Sequence, residues 1–176
     1  MKKSLILASV VLGVVALTAP FINNALALSS EQEQVISGEC DTIHQILQAL
    51  QKTDSKTRVK LGYTYENILS KYMIPLSSRL AKNSISNSEF VDIQSAFKDA
   101  KQNFSNDFIV YQKNLENLVI FNCTENPKEF YNKLQTLRSD REKVRQDTLV
   151  LSNLIKKHQS VVIKMLETLW QKVEKI

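Results

Sequence analysis

Apolar side chains recur every three or four residues over most of the chain, and the longest run follows Pro127. Three polar residues, Arg141, Thr148 and His158, complete its stripe. This spacing matches the 3.6-residue turn of a helix, so it predicts a helix over residues 126–176 with one face packed on another element. The apolar members of the stripe are Phe130, Leu134, Leu137, Val144, Leu151, Ile155, Val162, Met165, Leu169, Val173 and Ile176.

A similar stripe begins near the first capping signal, where Ser30 and Glu33 form a capping box. Its steps of three and four continue without a change of phase as far as Leu76, which predicts one helix over about 30–83. Pro75 removes a backbone donor and predicts a kink near that residue. The alternative is a turn near 53–56, because Asp and Ser there prefer helix caps to helix interiors. The stripe consists of Ile36, Cys40, Ile43, Leu47, Leu50, Asp54, Thr57, Leu61, Tyr65, Ile68, Tyr72 and Leu76.

The boundary before the middle helix carries two signals at one place. Ser86 and Glu89 have the spacing of a capping box, and Ile85 and Phe90 have the spacing of a hydrophobic staple. Together they predict a helix over 86–122, and a turn then leads to Pro127 at the first position of the last helix.

These patterns define the fold class. Only Gly38, Gly62, Pro75 and Pro127 supply glycine or proline after residue 28, and strand-rich folds need many more turn residues. We therefore predict an all-α single domain over 28–176, an elongated antiparallel bundle of three long helices. The alternative is a four-helix up-and-down bundle with its additional turn near 53–56.

The first 27 residues have the features of a secretory signal peptide. Lys2 and Lys3 precede an uncharged stretch over residues 4–28, and Ala25 and Ala27 occupy the positions that a signal peptidase reads. We predict cleavage after Ala27 and a secreted or periplasmic protein, and the short basic start favours a bacterial origin. The alternative is an uncleaved membrane anchor, since the uncharged stretch is long enough to span a bilayer.

The two cysteines, Cys40 and Cys123, are expected to form a disulfide in an exported protein. In a three-helix bundle they lie about 65 Å and about 55 Å from the turn at Ser84, so a tilt or kink lets them meet. In the four-helix alternative they lie roughly 30 Å apart, which no disulfide can bridge. The pairing therefore favours three helices.

The same helix registers place Asp54, Asp107 and Arg141 at one height. Asp54 and Arg141 interrupt apolar stripes, and Asp107 precedes Phe108 in its own. A guanidinium can bind two carboxylates, so we predict a polar layer with Arg141 between the two aspartates. The alternative is that Arg141 extends to water and both aspartates are solvated.

Catalytic and cofactor motifs are absent from the sequence. His44 and His158 do not form the His-Glu-x-x-His pattern of zinc proteases, and two glycines cannot build a phosphate-binding loop. The formal charge of +5 falls to +3 without Lys2 and Lys3. Acids and bases alternate over residues 138–147, as on a solvated helix laced with ion pairs. We expect no catalytic residue, metal, cofactor or nucleic-acid partner.

The sequence favours an exported, non-enzymatic bundle that acts as an envelope-associated structural or partner-binding module. One alternative is a periplasmic holdase-like chaperone or a binder of small apolar ligands, and another is a sensor-like domain on an uncleaved anchor. The last helix should project beyond the turn at Ser84. Its projecting residues are candidates for self-association, or they fold back on the first helix; they are Met165, Leu169, Trp170 and Val173.

Overall fold

The computed structural model describes residues 28–174, and that part of the chain is helical with no strand. The prediction of an all-α fold is confirmed. Residues 1–27, to which the signal peptide or anchor was assigned, lie outside the described residues. The elements are α1 (Ser30–Gly38), α2 (Cys40–Asn67), a π-helical segment (Ile68–Met73), α3 (Ile74–Lys82), α4 (Ser88–Val119) and α5 (Pro127–Val173).

Residues 53–56, which the alternative prediction assigned to a turn, are helical within α2. The Thr53 hydroxyl donates to the carbonyl of Ala49 at 2.9 Å, and the Thr57 hydroxyl donates to the carbonyl of Thr53 at 3.0 Å. These side chains bond inside the helix instead of capping a turn, so their capping preference does not interrupt α2.

Pro75 is the second residue of α3, which directly follows the π-helical segment. The N–H of Ile74 bonds to the carbonyl of Leu69, five residues earlier rather than four. Because proline has no N–H, the regular α-helical ladder cannot continue through this position. The chain accommodates Pro75 by widening the preceding turn, and α3 follows without an intervening loop.

Two predicted caps differ by one residue from those in the structure. The first capping box uses Ser29 and Gln32 rather than Ser30 and Glu33. Helix α4 has Asn87 rather than Ser86 at its N-cap, with no side-chain cap bond. Asn87 instead donates through Nδ2 to the carbonyl of Ser77 at 3.0 Å, so this side chain joins the turn to α3.

Helices α4 and α5 each bury a series of side chains with a seven-residue period. Every seventh residue is buried, which is the spacing of coiled-coil packing. On α4 the series is Phe90, Phe97, Phe104, Tyr111 and Leu118, and on α5 it is Phe130, Leu137, Val144, Leu151 and His158.

Helix α4 is the central element. It packs on α5 and on α2, whereas no Cα of α2 lies within 8 Å of a Cα of α5. Edge-to-face aromatic pairs join α2 to α4: the ring centroids of Tyr65 and Phe104 are 5.3 Å apart, and those of Tyr65 and Phe97 are 6.2 Å apart. Clefts therefore remain between the first helices and α5, with α4 beneath them.

Candidate functional site

The end of the bundle near the α4–α5 turn holds the two cysteines. Cys40 and Cys123 lie at disulfide-bonding distance, with their Cα atoms 5.6 Å apart, and both are buried. His44, one turn after Cys40, approaches the carbonyl of Phe121 through Nε2 at 2.9 Å. The Ser37 hydroxyl donates to the carbonyl of Thr124 at 2.7 Å. These contacts attach α1 and α2 to the turn before α5.

Cys40, His44 and Cys123 also have ligand atoms within 4.8 Å of one another. Two sulfurs and an imidazole are a donor set that soft metal ions accept. Here the sulfurs are joined to each other, and the imidazole Nε2 bonds a backbone carbonyl. In this state the cluster is a structural anchor, with both sulfurs and the His44 Nε2 already engaged.

Asp54 and Arg141 meet across the gap between α2 and α5. Arg141 Nε lies 3.4 Å from Asp54 Oδ2, and the Tyr111 hydroxyl of α4 donates to the same oxygen at 2.7 Å. Burial first, and then the bond to Asp54, raises the pKa of Tyr111, which stays protonated as the donor. The Arg141 side chain remains 56% exposed and the Asp54 side chain only 14%, so the ion pair is open to solvent on the arginine side.

Asp107, the third predicted member, is not within 4 Å of Arg141 in the described structure. It lies beside Asp147 of α5, and burial together with the Asp107 carboxylate raises the pKa of Asp147. The predicted three-residue layer is thus replaced by an Asp54–Tyr111–Arg141 group and a separate pair of carboxylates.

Asp140 is a buried carboxylate that the sequence analysis did not single out; it is 5% exposed. The Asn114 amide of α4 donates to its Oδ2 at 2.6 Å, and Lys143 Nζ lies 3.4 Å from its Oδ1. The predicted stripe of α5 continued from Leu137 to Arg141. The three-residue step from Leu137 to Asp140 fits the helix equally well. This spacing is the signal from which a buried Asp140 could have been predicted.

One cleft between α2 and α5 has an arginine-rich rim, and we call it the arginine cleft. It has a volume of about 420 Å³. Its acids bind its bases: Asp54 pairs with Arg141, and Arg145 binds Glu142 at 2.7 Å. The bond from Arg145 lowers the pKa of Glu142 to about 2. The lining comprises Asp54, Thr57, Leu61, Phe108, Tyr111, Arg138, Arg141, Glu142, Val144, Arg145 and Thr148.

A second cleft on the same side, the His158 cleft, lies between the π-helical segment, α3 and α5 and has a volume of about 480 Å³. His158 is 8% exposed, and its Nε2 is buried without a hydrogen-bond partner among the described residues. Burial lowers the pKa of His158, which favours the neutral ring. The lining comprises Ile68, Lys71, Tyr72, Met73, Pro75, Leu76, Arg79, Ile155, His158, Gln159 and Val162.

The C-terminal part of α5 carries apolar side chains on two faces. Met165 and Leu169 are half-buried and line a cleft beside the α3–α4 turn, whereas Trp170 and Val173 are each 66% exposed. The four residues predicted for self-association therefore divide between two faces. Ile163 and Leu166, exposed by 57% and 55%, lie on the outer face with Trp170 and Val173.

Comparison with known proteins gives no match: no protein-family model, curated protein or solved structure is similar to this chain. Within residues 28–174, no helix combines the length and apolar content needed to cross a membrane.

Proposed function

We propose that this protein is an extracytoplasmic, non-enzymatic module that acts through surface contact, and that it associates with a second copy of itself through the end of α5. The observation that carries the proposal is the outer face of α5, where four large apolar side chains are more than half exposed. We call these residues the tip seam: Ile163, Leu166, Trp170 and Val173.

Two features support a location outside the cytoplasm. Cys40 and Cys123 lie at disulfide-bonding distance, and stable disulfides are mainly found in oxidising compartments. The first 27 residues have the composition of a signal peptide. The intact mass of the exported protein tests this part, because cleavage after Ala27 gives a chain that begins at Leu28, and an anchored protein begins at Met1.

We further propose that the chain forms three rods: α1 to α3 together, α4 and α5. The continuous succession of α2, the π-helical segment and α3 supports this count. In this arrangement α5, with 47 residues, is much longer than α4, with 32 residues. Its C-terminal part lies beside the α3–α4 turn, with Met165 and Leu169 towards that turn and the tip seam on the outer, uncovered face.

The tip seam has the spacing of a two-helix interface. Its members follow one another at steps of three, four and three, as the a and d positions of a heptad do. The same patch on two chains can pair about a two-fold axis. In a parallel pair, Glu167 would lie beside Val162 and Glu174 beside Leu169 of the second copy, so no like charges oppose each other.

Sedimentation equilibrium of the mature protein, from low micromolar to about 1 mM, tests self-association. The seam extends over only three turns, so we expect weak dimerisation, with an average mass that rises towards twice the chain mass at high concentration. Leu166→Lys should keep the protein monomeric by placing a charge in the seam.

Val59→Lys is the matched control, since Val59 is 73% exposed on α2, away from the tip seam. The control should dimerise as the wild type does. A wild-type protein that stays monomeric throughout the series, or a Leu166→Lys variant that dimerises with unchanged affinity, would refute the proposal.

A further inference from the structure

The His158 cleft has an apolar floor of ligand-binding size. Its volume of about 480 Å³ lies within the range of small-molecule sites, which is about 300–1,000 Å³. Met73 is 1% exposed at its base, and half-buried aliphatic side chains form its walls. These walls are Ile68, Leu76, Ile155 and Val162. An unbranched hydrocarbon chain is the kind of group that such a surface accepts.

The rim of this cleft carries positive charge without a compensating acid. Lys71 and Arg79 line it, and no aspartate or glutamate does. Neither cation lies within 4 Å of a carboxylate in the described part of the chain, whereas Arg141 and Arg145 of the arginine cleft each have an acidic partner. The His158 cleft therefore offers unneutralised charge to an anionic group.

His158 adds a polar group inside the cleft. Its Nε2 is buried and makes no hydrogen bond, which is unusual for a buried polar atom. A neutral imidazole with its proton on Nε2 can donate to an oxygen of a bound molecule. Because Nε2 is closed off from solvent, the ring has to turn about its side-chain bonds before this nitrogen can donate to an oxygen in the cleft; a ligand with an oxygen-containing head would then satisfy it, and a pure hydrocarbon would not.

The backbone beside the cleft also departs from regular helix. Lys71, Tyr72 and Met73 of the lining belong to the π-helical segment, and Pro75 lies two residues after its end. Turns of this kind occur frequently at functional sites. Because a π-helical turn is wider than an α-helical turn, Lys71 and Tyr72 take positions in the cleft wall that they would not have in a regular α-helix.

We infer that the His158 cleft binds an amphipathic carboxylate of the fatty-acid class, with its chain on the apolar floor and its head held by Lys71, Arg79 and His158. This site is separate from the tip seam, so either proposal can fail without the other. The occupant follows from three observations together: the apolar walls, the unpaired cations and the buried Nε2.

Isothermal titration calorimetry of the mature protein with decanoate, below the concentration at which it forms micelles, tests the site. Decanamide is the matched neutral ligand, since it has the same chain and an uncharged head. We expect saturable decanoate binding and roughly tenfold weaker binding of decanamide, because charge-assisted bonds are the stronger ones. Equal affinities, or no saturable decanoate binding, would overturn the inference.

Three variants locate the binding. Lys71→Gln combined with Arg79→Gln should weaken decanoate roughly tenfold and leave decanamide unchanged. His158→Phe should weaken decanoate while keeping the ring that packs against Phe90, 5.6 Å away between centroids. Unchanged decanoate affinity in either of these proteins contradicts the assigned head contacts.

Gln159→Trp is an exposed substitution that should fill the cleft without altering the core, so it decides the question even if His158→Phe does not fold. It should abolish decanoate binding, and retained binding would place the ligand elsewhere. Arg138→Gln, in the arginine cleft, is the control and should bind decanoate as the wild type does. Melting curves of each variant establish that it is folded.

Discussion

Breaking the link between Cys40 and Cys123 should cost this protein a large part of its stability. The two residues are 83 positions apart, so the bond closes a loop that contains α2, the π-helical segment, α3 and all of α4. Its main effect in the chain-entropy description is on the unfolded chain, which loses conformations when its ends are joined. The perturbation is Cys40→Ala combined with Cys123→Ala.

The expected loss follows from the loop length. A loop of this size gives about 4.5 kcal/mol at room temperature in the chain-entropy description. For a chain of this size, such a loss corresponds to a fall in melting temperature of about 10–15 °C. In guanidinium chloride, it corresponds to a fall in the transition midpoint of about 1 M.

Guanidinium denaturation followed by helical circular dichroism measures the difference. Reduced wild-type protein is the essential comparison, because it loses the cross-link and keeps both sulfur atoms in the core. The reduced wild type and the double variant should therefore show similar losses. His44→Ala is a second comparison: it removes the contact with Phe121 and keeps the cross-link, so we expect a loss of only about 1 kcal/mol.

Two results would refute this reasoning. One is a free energy of unfolding that changes by less than about 1 kcal/mol on reduction, which would mean that the cross-link hardly restricts the unfolded chain. The other is a titration of unfolded, unreduced protein that finds two free thiols per chain, since no bond would then exist to be broken.

Three further predictions concern the core and the buried polar groups. Leu115→Ala, at a fully buried position of α4, should cost about 2–5 kcal/mol in chemical denaturation, whereas Val91→Ala, at a position 46% exposed, should cost about 0.5 kcal/mol; equal costs would contradict the assigned core. Asn114→Ala should cost about 1–3 kcal/mol by leaving the buried Asp140 carboxylate without its amide donor, and a loss below about 0.5 kcal/mol would argue against that bond. Burial lowers the pKa of His158, so below about pH 6.5 the unfolded chain binds a proton that the folded chain does not, and stability should fall as the pH falls from about 6.5 towards the folded pKa. Lys71 and Arg79 are the other charged residues lining that cleft. Denaturation of the wild type and of His158→Phe at a series of pH values measures the effect, and equal pH dependence would refute it.

The helices themselves could be predicted because their signals are local. The steps of three and four, the scarcity of glycine and Pro127 at the start of α5 each act within a few residues. Cap positions were less accurate: Asn87 rather than Ser86 is the N-cap of α4, and its side chain donates to the carbonyl of Ser77 in α3 instead of capping the helix. That contact joins residues ten apart in the chain, beyond the range of a capping pattern.

The candidate sites could be predicted only in part. Two cysteines permit a single intramolecular pairing, so Cys40 and Cys123 could be named from the sequence. Asp107 was assigned to Arg141 because both lie at the same distance from the α4–α5 turn. Height along a helix does not give the direction in which a side chain points, and Asp107 lies beside Asp147 instead.

The sequence by itself determined the all-α fold class and the approximate positions of α4 and α5, since backbone hydrogen bonding and side-chain spacing within one helix decide these features. Only the tertiary structure decided that Asp140 rather than Arg141 is buried after Leu137, because both steps fit a single helix equally well. It also decided that α4 lies between α2 and α5, and so created the His158 cleft with its unpaired Nε2. Burial of a side chain depends on neighbours far away in the chain, and the spacing of residues within one helix does not identify those neighbours.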